Sequence, residues 1–406
     1  MNNILFVCWD GPNSSYMEGL FLSIFSKLNK TEGYTITFFQ LSSSNNDQVE
    51  KRKKKLNDNN ISYEHVKVYK GFPLGFIFSF CAAVFKIRKI IKKCTIDIVI
   101  PRSIIPAFLL LLTGLRKKKF QIIYDSDGFP HDERVDFQGW KPSGLPYQFY
   151  RLIEFLIVHK SNAIITRSKR AKATLIARAG SRFNGNKIFV LWNGRDEESF
   201  KMLPFNERMK IRENLGIKQN ELVFLYSGSV GEKYLSSEML HFFDYIKRSG
   251  AKSAIIILTS QIKDIQNLAL KEHLSLETFM IKQVSQGEVP DYLNIADFGL
   301  FFCKNCFSTK AVFPTKLSEY LLTGLPAIIS KGIGDCDEIA MDKKGIYLLS
   351  SYTNKAFENL MKWAENIMEF APTIRSENHE FALKYLTAEQ TKQIIIKAIE
   401  FSGKSR

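Results

Sequence analysis

Pro314-Thr315-Lys316-Leu317-Ser318-Glu319-Tyr320-Leu321-Leu322-Thr323-Gly324-Leu325-Pro326 runs directly into Ala327-Ile328-Ile329-Ser330. Leu317, Tyr320 and Leu321 fall at helical spacing, and Thr315 is placed to cap the helix start. Gly324 ends the helix, Pro326 keeps it from resuming, and residues 327–330 read as a short buried strand. The unpaired N–H groups and positive dipole end of such a helix point at whatever precedes Thr315, and they suit a diphosphate. Glu319 stands about one turn in, where its carboxylate can accept hydrogen bonds from a ribose diol. A capped helix without a ligand fits the same residues.

Outward from this segment, strand and helix patterns alternate. In the second half, strands are expected at 222–227, 253–259, 279–283 and 298–302, with helices at 236–248, 264–273 and 289–295. In the first half, strands are expected at 4–9, 34–40, 66–69, 96–100, 120–124, 163–166 and 187–191. Helices are expected there at 16–28, 74–93, 104–115 and 148–159. Residues 42–60 read as a polar, charged stretch and 125–147 as a long loop. Such alternation predicts an α/β fold with parallel, doubly wound sheets. Two Rossmann-like halves follow, at 1–197 and 198–387 with a linker near 196–204, and a C-terminal helix within 388–406 is placed to return to the first half.

The segment 314–326 resembles the donor-nucleotide signature of retaining GT-B glycosyltransferases of the large fourth family, the glycosyl transferases group 1. The pattern is matched at Pro314, Thr315, Lys316, Glu319, Tyr320, Gly324 and Pro326. The resemblance implies a GT-B fold of two Rossmann-like domains facing a cleft. It also implies hexosyl transfer from a nucleoside diphosphate sugar with retention of configuration, and a ribose-binding role for Glu319. Many members carry a second Glu eight positions earlier, beside the transferred sugar; that position is Ala311 here. Tyr226-Ser227-Gly228-Ser229-Val230-Gly231-Glu232-Lys233 matches the family's Gly-rich diphosphate turn. Gly228 and Ser229 belong to the turn and Lys233 takes the Lys position, while Ser229 stands where Arg is common, leaving Lys316 or Lys310 to compensate. A plain strand-to-helix turn has the same pattern.

Three further segments share the resemblance. Gln283-Val284-Ser285 matches the stretch whose backbone meets the nucleotide base, which places Val284 in the donor site. Val190-Leu191-Trp192-Asn193-Gly194 is similar to the hinge-side Asn-Gly turn. Asp10-Gly11-Pro12-Asn13-Ser14 matches the loop near the transferred sugar, and Gly11 can approach a ligand closely. Asp125-Ser126-Asp127-Gly128-Phe129-Pro130-His131-Asp132-Glu133-Arg134 lies where members place a His or acidic group, which marks His131 and Asp127 as catalytic candidates. A solvated loop is the alternative. No metal is implied, because GT-B enzymes meet leaving-group charge with cations and a helix end. Cys303-Lys304-Asn305-Cys306 lacks the second Cys/His pair that a zinc site needs.

Length and composition are consistent with this. A chain of 406 residues, 45% hydrophobic and 24% charged, suits two soluble domains. Six cysteines without regular spacing argue for a reducing compartment. The apolar run 4–9 is too short for a signal peptide, and 72–85 and 104–115 are too short to span a membrane. The expected location is cytoplasmic, peripheral at the inner membrane face.

The net charge of +16 is uneven: 31 Lys and Arg against 16 Asp and Glu through Glu197 give +15, and the remainder gives +1. Helix ends account for some of these cations. Adsorption to an anionic membrane, where a lipid-linked or glycan acceptor lies, accounts for the surplus. Two rival readings are a GT-B nucleotide-sugar epimerase and a basic nucleic-acid-binding protein. The second needs aromatic residues among its cations, and Lys51-Arg52-Lys53-Lys54-Lys55 has none. Nucleic acid is therefore not an expected partner.

Overall fold

Runs such as Ile98–Pro101 and Ala163–Thr166 are buried at every residue, as strands covered on both faces must be. The computed structural model describes residues 3–11, 16–69, 73–115, 120–277 and 279–404. The chain divides into two units, Met1–Trp192 with Ala388–Arg406, and Asn193–Thr387.

The first unit holds seven strands: β1 (Asn3–Trp9), β2 (Thr35–Ser42), β3 (Ser62–Lys67), β4 (Ile98–Pro101), β5 (Gln121–Ser126), β6 (Ala163–Thr166) and β7 (Ile188–Val190). Their order is β3-β2-β1-β4-β5-β6-β7, and every pairing is parallel. The connecting helices are α1 (Leu22–Glu32), α2 (Asn46–Asn57), α3 (Pro73–Lys93), α4 (Ile104–Leu112), α5 (Pro130–Gln138), α6 (Leu145–Lys160) and α7 (Lys169–Ala179). Phe6 packs against Phe21, Phe25 and Phe38 with ring centroids 4.7–5.2 Å apart, at the centre of the core on the α1 side.

The second unit repeats the plan with β8 (Leu222–Ser227), β9 (Ser253–Leu258), β10 (Phe279–Lys282), β11 (Phe298–Phe301), β12 (Ala327–Ser330) and β13 (Ile346–Leu349). Their order is β10-β9-β8-β11-β12-β13, again parallel. Its helices are α8 (Phe205–Asn214), α9 (Ser236–Arg248), α10 (Ile262–Lys271), α11 (Val289–Ile295), α12 (Thr315–Leu322), α13 (Cys336–Met341), α14 (Asn354–Met368) and α15 (Ala371–Tyr385). The last helix, α16 (Ala388–Lys404), packs on α1, β5 and β6 of the first unit. There Lys392 Nζ reaches Thr31 Oγ1 at 2.9 Å.

Two stretches hold helices that the sequence pattern did not place. The polar, charged residues 42–60 contain α2, opened by a capping box between Asn45 and Gln48. Arg52, within the basic run, turns inward and meets Glu18 at 3.1 Å and Ser44 at 2.8 Å. The stretch 125–147 is not all loop. Pro130 starts α5, where its missing N–H costs nothing.

Candidate active site

In the second unit the chain leaves β8 for β9 and β10 on one side, then re-enters beside β8 as β11. The loops at the carboxyl ends of β8 and β11 therefore diverge, and doubly wound sheets hold ligands at such a point. Residues 228–235 follow β8, and the loop after β11 leads into α12. Lys304 N–H donates to the Lys233 carbonyl at 2.9 Å, tying the two loops together.

Lys316, in the first turn of α12, reaches under the β8 loop. Its Nζ lies 4.9 Å from the ring centres of both Tyr226 and Tyr234 and 5.4 Å from that of Phe301. Gly228 has φ +144°, and a Cβ on it would stand 2.2 Å from Lys316 Nζ. The glycine is thus required by its backbone and by its neighbour alike. Burial pulls the Lys316 ammonium down to about 8, against the attraction of Glu319.

Glu319 is 9% exposed, and its Oε1 lies 2.9 Å from Arg195 Nε. The carboxylate expected to be open to a ribose is already paired on one oxygen. A carboxylate has about four lone-pair positions, so the pair leaves acceptor capacity for a diol. Asn193 holds both sides of the helix start. Its Nδ2 donates to the Phe313 carbonyl at 2.7 Å, and its own carbonyl accepts from Ser318 Oγ at 2.7 Å. The expected cap is shifted by one residue: Pro314 occupies the cap and Thr315 is the first helical residue.

Ser229 is exposed at the tip of the β8 turn, and its carbonyl accepts from Tyr226 OH at 2.5 Å. Gly228, Val230 and Gly231 donate their N–H groups to Leu258, Gln261 and Ser236. The turn therefore has fewer amides to offer a diphosphate than a bare Gly-rich loop would. Lys233 is half-buried in the single turn Glu232–Tyr234, beside the same loop. Val284 follows β10 at the carboxyl edge of the same sheet, and Ala311 is buried. A cavity of about 630 Å³ lies behind the turn, between α9 and α10. Glu232, Glu238, Asp264 and Glu272 line it beside two lysines, an acidic lining that disfavours a diphosphate.

The first unit has its own switch point, between β1 and β4. Asp10 follows β1 and accepts from Gln40 Nε2 at 3.0 Å. Gly11 is exposed in open space, while Pro12, Asn13 and Ser14 lie outside the described residues. Arg102 follows β4, is buried, and pairs with Asp127. Arg167, after β6, reaches Asp127 at 3.3 Å and Asp125 at 2.7 Å. Ser103, beside Arg102, is held at φ +71°, a strained conformation for serine. Asp127 is the exposed member of this network, with 28% of its side chain accessible.

His131 does not join it. The side chain is 0% exposed, so the expectation of a substrate-facing imidazole is corrected. Its Nε2 lies 3.1 Å from Asp132 and 3.2 Å from Glu154, and Arg178 closes the cluster by pairing with both carboxylates. Burial pushes the imidazole down, but hydrogen bonds and attraction from Asp132 and Glu154 outweigh it and hold its pKa above the usual value.

Sequence reading missed Arg195, Arg102 and the Tyr226–Tyr234 cage. Tyr226 and Tyr234 flank the Gly-rich turn eight residues apart and carried a faint signal. Arg102 follows a four-residue strand, and its position after a predicted strand end was the available clue. Arg195 had none, because its partner lies 124 positions away.

Residues 207–378 match the family of glycosyl transferases group 1. That match lies entirely within the second unit. No curated protein sequence matches the chain. Among solved structures, it is similar to sucrose-phosphate synthase from Thermosynechococcus elongatus, with TM-score 0.78, 12% identity and 100% of each chain covered. It is also similar to HepE from Anabaena in complex with UDP and glucose, with TM-score 0.72 and 13% identity over 98% of this chain and 100% of that one. UDP-GlcNAc 2-epimerase from Neisseria meningitidis, bound to UDP-GlcNAc, gives 0.60 and 12% over 98% and 99%. At these identities the likeness is one of fold, and that fold is GT-B.

Proposed function

We propose that the protein is a retaining glycosyltransferase that moves a hexosyl group from a nucleoside diphosphate sugar to a hydroxyl of a lipid-linked or cell-surface polysaccharide precursor. The observation that carries this reading is the convergence at the β8/β11 switch point. There the Gly228 turn lies on Lys316, and α12 presents Glu319 one turn from its N-terminus. In this reading Lys233, Lys316 and the helix end hold the diphosphate, with Pro314 and Thr315 at that end. Val284 lies beside the base, and Glu319 receives the ribose. Lys316 supplies, from beneath the turn, positive charge that an arginine at position 229 supplies in many relatives. Charge held where the leaving diphosphate develops it favours the transition state without a covalent intermediate. HepE was solved with UDP and glucose, which supports a nucleotide sugar as donor. On the first unit, Asp127 and Arg102 are the candidate groups for the transferred sugar and acceptor.

The test is to mix the protein with nucleotide sugars and membrane-derived acceptors and follow free nucleoside diphosphate. Acceptor-dependent release supports transfer. An altered sugar without an acceptor supports the epimerase reading, which the fold of the Neisseria enzyme keeps in view.

A further inference from the structure

α3 carries no acidic residue, and its outward line changes character along its length. Leu74, Phe78, Cys81 and Phe85 follow one another at helical spacing on the exposed side, with Phe78 66% and Phe85 72% accessible. Arg88, Lys89, Lys92 and Lys93 extend that side at the C-terminal end and are all exposed. An ordinary helix of a doubly wound sheet turns polar residues outward. This one turns outward large apolar groups and then cations.

α6 repeats the arrangement. Leu145, Phe149, Leu152 and Phe155 are exposed along one side, Leu145 at 86%, and His159 and Lys160 end the row. Its one acidic residue, Glu154, is buried in the His131 cluster. α3, α4 and α6 follow successive crossovers that advance the same way across the sheet, and right-handed crossovers place all three on one face. α4 packs against both neighbours, with Phe108 and Phe149 at 5.2 Å. Each helix runs antiparallel to the strands, so the cationic ends of α3 and α6 share one rim, with α4 between their apolar rows. α4 itself is mostly core: Ile104, Ala107, Leu109 and Leu110 are buried and only Leu112 stands out.

Among the described residues no helix is long and apolar enough to cross a membrane. We infer that the α3–α6 face lies in the interfacial layer of an anionic bilayer, with the Phe and Leu rows among the acyl chains and the basic rim on lipid headgroups. Charge complementarity decides the occupant. A second copy of the same face would set one basic rim against the other, whereas anionic headgroups neutralise it. The inference rests on the proposed lipid-linked acceptor for its purpose. Phe76 and Phe80, near the start of α3, pack against Trp9 at the carboxyl end of β1, with ring centroids at 6.4 and 5.5 Å.

The test uses full-length protein and flotation with vesicles of phosphatidylcholine alone or mixed with phosphatidylglycerol, without donor or acceptor. Wild type is expected to float with the mixed vesicles. The Phe78→Ser/Phe85→Ser and Leu152→Ser/Phe155→Ser proteins should partition at least about tenfold less. Leu270→Ser, which removes an exposed leucine of the second unit, should match wild type. Nucleotide binding unchanged in the two double variants shows that they are folded, so this test and that of the transferase reading can fail separately. Wild-type flotation in both double variants, no flotation of wild type, or self-association of wild type that both variants abolish would each overturn the assignment.

Discussion

Gly228 sits directly on the ammonium group of Lys316, so close that a single methyl on the glycine would have to displace it. The turn after β8 and the first turn of α12 are thereby fitted to each other. Gly228→Ala should then disturb both at once, since φ +144° is foreign to alanine and the methyl collides with Nζ. We expect nucleoside diphosphate affinity to fall by at least about tenfold, a loss of about 1.4 kcal/mol. Calorimetric titration checks this, with circular dichroism to confirm the fold.

Lys316 makes the donor site sensitive to alkaline pH. Its ammonium titrates near 8, so the charge under the turn is complete below that value and fades above it. Nucleoside diphosphate affinity should decline as pH rises through about 8, and Lys316→Met should be weak and flat over the same range. Stability runs the other way. The unfolded chain holds this proton up to about 10.4 and the folded one only to about 8, so between them stability rises with pH relative to Lys316→Met. Denaturant titrations at pH 7.5 and pH 9.5 would show no such rise relative to Lys316→Met if the lysine were solvated.

Glu319 and Arg195 separate ribose binding from folding. Glu319→Ala removes the ribose contact and leaves Arg195 without its carboxylate, which is expected to cost stability as well as affinity. Glu319→Gln keeps a hydrogen-bond acceptor and should weaken nucleotide by about 1–3 kcal/mol while melting close to wild type. Equal nucleotide affinity in wild type and Glu319→Gln would remove the ribose assignment.

His131 and Asp127 should behave differently from each other. His131→Asn takes away the cation between Asp132 and Glu154, with an expected loss of about 3 kcal/mol of stability and little change in nucleotide affinity. The folded pKa of His131 is raised, so its contribution is complete below the unfolded value of about 6.5 and disappears as pH rises through the folded one. The gap between wild type and variant should therefore narrow as pH rises through that raised value. Asp127→Asn should lower turnover and leave nucleotide affinity nearly intact, and wild-type turnover would count against a catalytic part for Asp127.

The strand–helix alternation was legible because parallel strands are buried on both faces and leave apolar runs such as residues 255–258. α2 was not, because it buries only Arg52 and Leu56 and its caps are polar. The donor segment was legible because Gly324 and Pro326 delimit a helix within thirteen residues, and Lys316 and Glu319 lie on that helix. The pairing of Glu319 with Arg195 was hidden, since contacts across more than a hundred residues leave no local pattern. His131 looked reactive beside Asp132 and Glu133, yet it is buried between Asp132 and Glu154, the latter supplied by α6. Exposure of the α3 and α6 rows was equally invisible, because the same spacing serves buried helix faces.

The most direct measurement is thermal stabilisation of the full-length protein by a panel of nucleoside diphosphates and their sugars, repeated with Lys233→Ala and Lys316→Met. We expect at least one nucleoside diphosphate to raise the melting temperature, by the several degrees that about 2–3 kcal/mol of linked binding confers near a hundredfold excess over Kd. Both variants should lose most of that shift. A panel without effect on wild type, or a shift that survives both substitutions, would contradict a donor site at the β8/β11 switch point.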